Sequence, residues 1–208
     1  MHRSTKLPAR GVYAITDGPR QNLIEDVELA LAGGVAMVQY RDKTTDHERR
    51  RAEASAMLDA CRHCGVPLII NDDVDLAVEI RADGVHLGED DMFIAEARSK
   101  LGKDAIIGVS CYDSLELARE FAIRDVDYLA FGSFFASPTK PNARRATIEL
   151  LRSATSLKLP LVAIGGITPD NAPPLIDAGA AFVAAISGLF STGDVKQAAQ
   201  RFAALFSK

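Results

Sequence analysis

Three side chains suited to anions alternate along Gln39-Tyr40-Arg41-Asp42-Lys43. In an extended segment the two-residue period sends positions 39, 41 and 43 to one side. An amide, a planar guanidinium fork and a compact ammonium then face together, an arrangement fit for phosphate oxygens. Ordinary ion pairs at a solvated strand end use the same residue types, so the triplet alone does not define a site. Carboxylates gather in two further clusters, Asn71-Asp72-Asp73 and His86-Leu87-Gly88-Glu89-Asp90-Asp91. Magnesium takes oxygen ligands and joins one or two carboxylates to substrate phosphates. Asp72 and Asp91, on neighbouring elements, are therefore the candidate ligands of an Mg2+ cofactor. The competing use of these acids is helix capping, by Asp72 or Asp73 before a helix beginning near Val74 and by Asp90 or Asp91 before the next.

A hydroxyl, Ser110, ends another β-rich run, and the long segment Gly132 to Pro141 carries Ser137, Thr139 and Lys140 among prolines. Loops of that length often close over ligands. A second anion site is suggested by Gly165-Gly166-Ile167-Thr168-Pro169-Asp170-Asn171 together with Ile186-Ser187-Gly188. Glycines let backbone N–H groups approach a phosphate, and the start of a following helix adds a favourable partial charge. Tight turns and caps are the plainer explanation, but two adjacent elements supply the same feature. His86 interrupts an apolar run, where a packed, hydrogen-bonded role is the commoner one, so it stays outside the catalytic set. Cys61 and Cys64 form a CxxC near a helix end closed by Gly65, on one helical face. Lacking a second ligand pair, they read as plain thiols.

The elements that carry these residues follow a simple order. Short β-rich runs occur at residues 11–16, 36–41, 67–71, 84–87, 105–110, 128–132, 160–165 and 182–187. Segments of helical spacing separate them, which is the pattern of a parallel sheet with crossover helices. Eight such units predict a (β/α)8 TIM barrel of the α/β class, with one domain over 1–208 and residues 1–10 as an N-terminal extension. An open doubly wound sheet would place GxGxxG after the first strand, and none is there. In a barrel the loops after all eight strands share one face, so the polar clusters above converge.

Composition narrows the partners. The chain has 208 residues, 48% hydrophobic and 25% charged, with 24 Lys plus Arg against 28 Asp plus Glu. A net charge of -4 disfavours nucleic acid or an anionic membrane as partner, so any anion site is local. No apolar run approaches the ~20 residues of a membrane span and no secretion signal is evident, which predicts a cytoplasmic protein. Oligomeric state is left open, a homo-oligomer included.

On GVYAITD, VQYRDK, PLIINDDVDLA, ADGVHLGEDD, GVS, SPTKP and AIGGITPDN, the chain resembles bacterial thiamine phosphate synthases from Gly11 to about Phe190. The resemblance implies hydroxymethylpyrimidine pyrophosphate and hydroxyethylthiazole phosphate as substrates. It implies that Gln39, Arg41, Lys43, Asn71 and Lys140 hold the pyrophosphate, with Ser110 beside them in the substrate site. Arg41, Lys43, Lys140 and Ser110 would then be the catalytic group, and Asp72 and Asp91 would hold magnesium. Thr139, Gly166, Ile186 and Ser187 would meet the thiazole phosphate. Glu89 stands where a Gln is frequent, and GSFFASPTKP and Cys111-Tyr112 also depart from the commonest pattern. Two other functions fit parts of this sequence: a thiazole tautomerase on the same barrel, and a non-catalytic phosphate-binding barrel. The first has no pyrophosphate to discharge and the second needs only the glycine-rich site, so neither explains the cationic cluster.

Overall fold

The computed structural model describes residues 4–88, 94–136 and 144–207. All eight β-rich runs form strands: β1 (Gly11–Ile15), β2 (Met37–Tyr40), β3 (Leu68–Asn71), β4 (Gly84–Leu87), β5 (Ile106–Tyr112), β6 (Tyr128–Gly132), β7 (Leu161–Ile164) and β8 (Phe182–Ala185). Each pairs in parallel with the next, and β8 closes on β1, giving a (β/α)8 barrel. Strands buried on both faces need apolar residues at nearly every position, which is why these runs lack polar alternation.

The outer layer comprises α1 (Leu23–Ala32), α2 (His47–Cys64), α3 (Val74–Ile80), α4 (Ile94–Leu101), α5 (Leu115–Ala122), α6 (Ile148–Ala154), α7 (Pro173–Asp177), a short α8 (Ser187–Phe190) and α9 (Val195–Ala204). Their starts are written in the sequence. Asp46, Asp73, Ser114, Thr147 and Asp194 each accept a bond from the backbone N–H three residues on, satisfying a donor that the helix leaves unpaired. Gly65, in the left-handed region at φ 67°, ends α2 as expected. The two thiols of that helix part company, because Cys61 is buried and Cys64 exposed. Burial pushes the Cys61 thiol up to about 12. A three-residue step turns a helix about 300°, roughly 60° short of a full turn, which at the helix end takes Cys64 out of the core.

Two apolar layers result. One lies between strands and helices, and the other fills the barrel with Tyr13, Ile15, Met37, Ile69, Ile106, Tyr128, Val162 and Phe182. At the amino-terminal end of the strands, buried Ser4 donates its N–H to Asp127 Oδ1 at 2.7 Å, and Leu7 packs on the inner layer. The opposite mouth, where the strands end, is polar.

Two strand ends differ from expectation. β2 stops at Tyr40, so the alternation of 39, 41 and 43 is not enforced by pairing throughout. Arg41 is held instead by Thr16, whose Oγ1 accepts its N–H at 2.9 Å. β5 runs two residues past Ser110, with a register shift against β6 between Ser110 and Tyr112.

Candidate active site

Every described candidate residue sits at the carboxyl ends of the strands. Arg41 and Lys43 follow β2, Asn71 closes β3 and Asp72 follows it, Ser110 lies in β5, Gly166 follows β7, and Ile186 and Ser187 follow β8. Asp91, Thr139 and Lys140 fall outside the described residues.

The cationic half is built between β2 and β3. Lys43 Nζ is 3.6 Å from Asp72 Oδ2, and Asn71 Nδ2 donates to that same oxygen at 2.6 Å. Asp72 takes φ 63°, a left-handed conformation that costs a non-glycine residue about 1–2 kcal/mol. Its N–H is fixed by the His86 carbonyl at 2.9 Å, which ties β3 to β4 at the mouth. The capping question is thereby answered for this pair. Asp73 caps α3 through the Leu76 N–H and pairs with Arg50 at 2.8 Å, while Asp72 faces the cleft. Asp42, Lys43, Thr44, Arg50, Asn71, Asp72 and Asp73 line that cleft.

Asp42 and Arg50 also line this cleft, and sequence reasoning passed over both. The Asp42 side chain is fully buried, with Thr44 N–H on Oδ1 at 2.7 Å and Arg49 Nη1 2.8 Å from Oδ2. Arg49 meets Oδ2 as an ion pair. Burial works to raise the Asp42 carboxyl, but Arg49 and Thr44 outweigh it and hold it below the usual carboxylate range. Asp42 therefore anchors the turn that presents Lys43. The available signal was an acid between two cations, four residues before the Asp46 cap of a helix carrying an Arg run.

Asp72 offers a partly exposed carboxylate beside an ammonium, a donor set that suits a hard cation shared with a phosphate. Among the described residues no three His, Cys, Asp or Glu side chains converge, so no all-protein cage forms there. Magnesium held by one or two carboxylates and its substrate needs none.

The other half is made of backbone. Gly165 and Gly166 adopt φ 108° and 62°, and a Cβ on Gly166 would lie 2.3 Å from the Ala136 carbonyl oxygen. Asn171 fastens this loop, donating to the Gly166 carbonyl at 3.0 Å and accepting the Thr168 N–H at 2.8 Å. A Cβ on Gly188 would come within 2.2 Å of the Ile167 carbonyl oxygen, so the β7 and β8 loops are in contact. Ile186 precedes α8, whose first N–H groups have no acceptor within the helix. Such groups beside glycine backbone suit a phosphate monoester.

Between the halves, the floor of the mouth is polar. Gln39, only 2% exposed, donates from Nε2 to Tyr13 OH at 2.6 Å. Tyr13 OH lies 2.9 Å from Tyr128 OH, which is 2.9 Å from His86 Nδ1, and His86 Nε2 is 2.9 Å from Ser110 Oγ. Burial raises both phenols well above their ordinary values. His86 is thus packed and hydrogen-bonded, as its place in an apolar run suggested.

A family model described as thiamine monophosphate synthase matches residues 12–189. The chain is 54% identical over 200 residues to the thiamine-phosphate synthase of Thiobacillus denitrificans, covering 95% of each. It is 49% identical over 209 residues to that of Methylobacillus flagellatus, covering 100% of both. Among solved structures, thiamine phosphate pyrophosphorylase from Pyrococcus furiosus superposes with a TM-score of 0.85 at 34% identity, over 96% of this chain and 95% of that one. The chain belongs to the thiamine monophosphate synthase family.

Proposed function

We propose that this chain is a transferase that joins hydroxymethylpyrimidine pyrophosphate to hydroxyethylthiazole phosphate, yielding thiamine phosphate and pyrophosphate. One observation carries the reading: a cationic, carboxylate-bearing cleft at β2 and β3 shares its rim with a glycine-built phosphate cradle at β7 and β8. A reaction between one diphosphate and one phosphate monoester needs both. No described helix is long and apolar enough to cross a membrane, in keeping with small-molecule substrates.

In the proposed mechanism the bond from the pyrimidine methylene to the diphosphate oxygen breaks, and pyrophosphate leaves with the electron pair. The thiazole nitrogen then gives its lone pair to that carbon. The electron-rich aminopyrimidine stabilises positive charge there, so the chain supplies no nucleophile. Arg41, Lys43 and Lys140 stabilise the charge developing on the leaving group, with Asn71, Gln39 and Ser110 orienting its oxygens. Asp72 and Asp91 would hold magnesium, which when bound would supply positive charge against the leaving pyrophosphate. Gly166, Ile186 and Ser187, with Thr139 nearby, hold the thiazole phosphate so that its nitrogen meets the methylene carbon.

The test is pyrophosphate release with each substrate alone and with both, with and without magnesium. Release equal to thiamine phosphate formed, and dependent on both substrates, is expected. Lys140→Ala is expected to fold and to lose about 3–4 kcal/mol of barrier stabilisation, in the range of a preorganised electrostatic donor. Release without the thiazole would reject the reaction, and release of none at all would favour a phosphate-binding barrel without activity.

A further inference from the structure

The floor of the mouth is a single continuous chain of hydrogen bonds, Gln39–Tyr13–Tyr128–His86–Ser110, crossing strands β2, β1, β6, β4 and β5. Its two ends, Gln39 and Ser110, are both residues of the diphosphate site in the reading above, on which this inference rests. We infer that the chain is a one-directional positioning device. It holds His86 as the Nε2–H tautomer and turns the Ser110 hydroxyl proton outward, toward a diphosphate oxygen.

Direction follows from counting donors. The Gln39 amide nitrogen can only donate, so Tyr13 OH accepts from it. Tyr13 is fully enclosed, and the oxygen within reach of its own proton is Tyr128 OH. Tyr128, equally enclosed, then has its proton free for His86 Nδ1. An imidazole accepting at Nδ1 carries its proton on Nε2, and that proton goes to Ser110 Oγ. Ser110, accepting there, keeps its own hydrogen for a group outside the chain. With the Gln39 amide placed so that Nε2 meets Tyr13, the reverse direction would leave the Tyr13 proton buried without an acceptor, which costs about 1–3 kcal/mol.

The barrel is shaped around this path. Register aligns His86, Gly108 and Tyr128 on three adjacent strands. A Cβ on Gly108 would sit 1.8 Å from Tyr128 Cζ, so only glycine lets the phenol cross to His86. The two rings stack at 5.6 Å with 15° between planes, and Tyr13 meets Tyr128 edge-on at 5.9 Å. Tyr13, Tyr128 and His86 do not themselves meet the diphosphate; they act through Ser110.

The experiment has two arms. Long-range 1H–15N correlation on the full chain labelled in histidine reads the tautomer directly. His86 is expected with a protonated Nε2 and a lone pair on Nδ1, and Tyr128→Phe is expected to mix the two tautomers. An Nδ1–H form, or an imidazolium, in the unaltered protein overturns the inference whether or not any variant folds. In the kinetic arm, Tyr128→Phe is expected to lower kcat/KM for the pyrimidine diphosphate about tenfold and to leave KM for the thiazole phosphate unchanged. The same substitution in a Ser110→Ala background is expected to cost nothing further, since its effect travels through that hydroxyl. Additive losses would reduce Tyr128 to a packing residue; Tyr13→Phe, which cuts the chain one bond earlier, repeats the comparison. If no protein releases pyrophosphate, the functional reading fails while the tautomer measurement still decides the direction of the chain.

Discussion

Lys43 Nζ stands 3.6 Å from Asp72 Oδ2, within reach of its charge but beyond a hydrogen bond. Both side chains are well exposed, at 63% and 38%, so the pair itself contributes little to stability. What holds Asp72 in place is the backbone: a left-handed φ of 63°, the His86 carbonyl on its N–H, and the Asn71 amide on its carboxylate. Backbone constraint, more than ion-pair energy, thus decides where this carboxylate stands.

Asp72→Asn separates charge from backbone, because asparagine tolerates the left-handed region. Unfolding free energy is expected to change by no more than about 0.5 kcal/mol, as for a surface substitution. The magnesium concentration needed for half-maximal pyrophosphate release is expected to rise at least about tenfold, the loss of roughly 1.4 kcal/mol of binding. An unchanged magnesium dependence would remove Asp72 from the metal site.

Gly166→Ala probes the other half. The new methyl would enter a left-handed backbone 2.3 Å from the Ala136 carbonyl oxygen and 3.0 Å from Phe135, neither of which is a flexible side-chain end. A stability loss of about 1–3 kcal/mol is expected from strain and overpacking, seen in denaturant unfolding. KM for the thiazole phosphate is expected to rise while that for the pyrimidine diphosphate stays put. Equal rises in both would mean that the loop supports the whole mouth and does not serve one phosphate.

The barrel was legible because eight β-rich runs and their spacers leave few other ways to bury both faces of a parallel sheet. Candidate residues were legible wherever polar types crowd a strand end, as at Arg41, Lys43, Asn71 and Asp72. Period alone failed beyond Tyr40, where Asp42 and Thr16, not strand pairing, decide how Arg41 and Lys43 are presented. It failed again for Arg50, which reaches the cleft from α2 and looks in sequence like one of three surface arginines. Tyr13 and Tyr128 were overlooked for a different reason. Each reads as an apolar strand residue until closure of the barrel brings β1 and β6 face to face and joins their hydroxyls.

Those buried phenols carry a consequence at high pH. Burial raises Tyr13 and Tyr128, and burial together with Glu53 raises Tyr40, whose OH donates to the Glu53 carboxylate at 2.7 Å. In the unfolded chain each ionises near about pH 10, so above that pH the unfolded state has lost protons that the folded state retains. Stability is therefore complete below about pH 10 and falls above it, by up to about 1.4 kcal/mol per pH unit for each such phenol. Denaturant titrations from neutral to strongly alkaline pH are expected to show this slope, with phenolate absorbance from the three tyrosines rising together with loss of helical signal. In Tyr13→Phe the slope is expected to shrink by one tyrosine's share even though the protein starts less stable. Phenolate appearing at Tyr13 or Tyr128 before the barrel unfolds would mean that water and base reach the floor of the mouth, and the enclosed hydrogen-bond chain beneath Ser110 would then have no fixed direction.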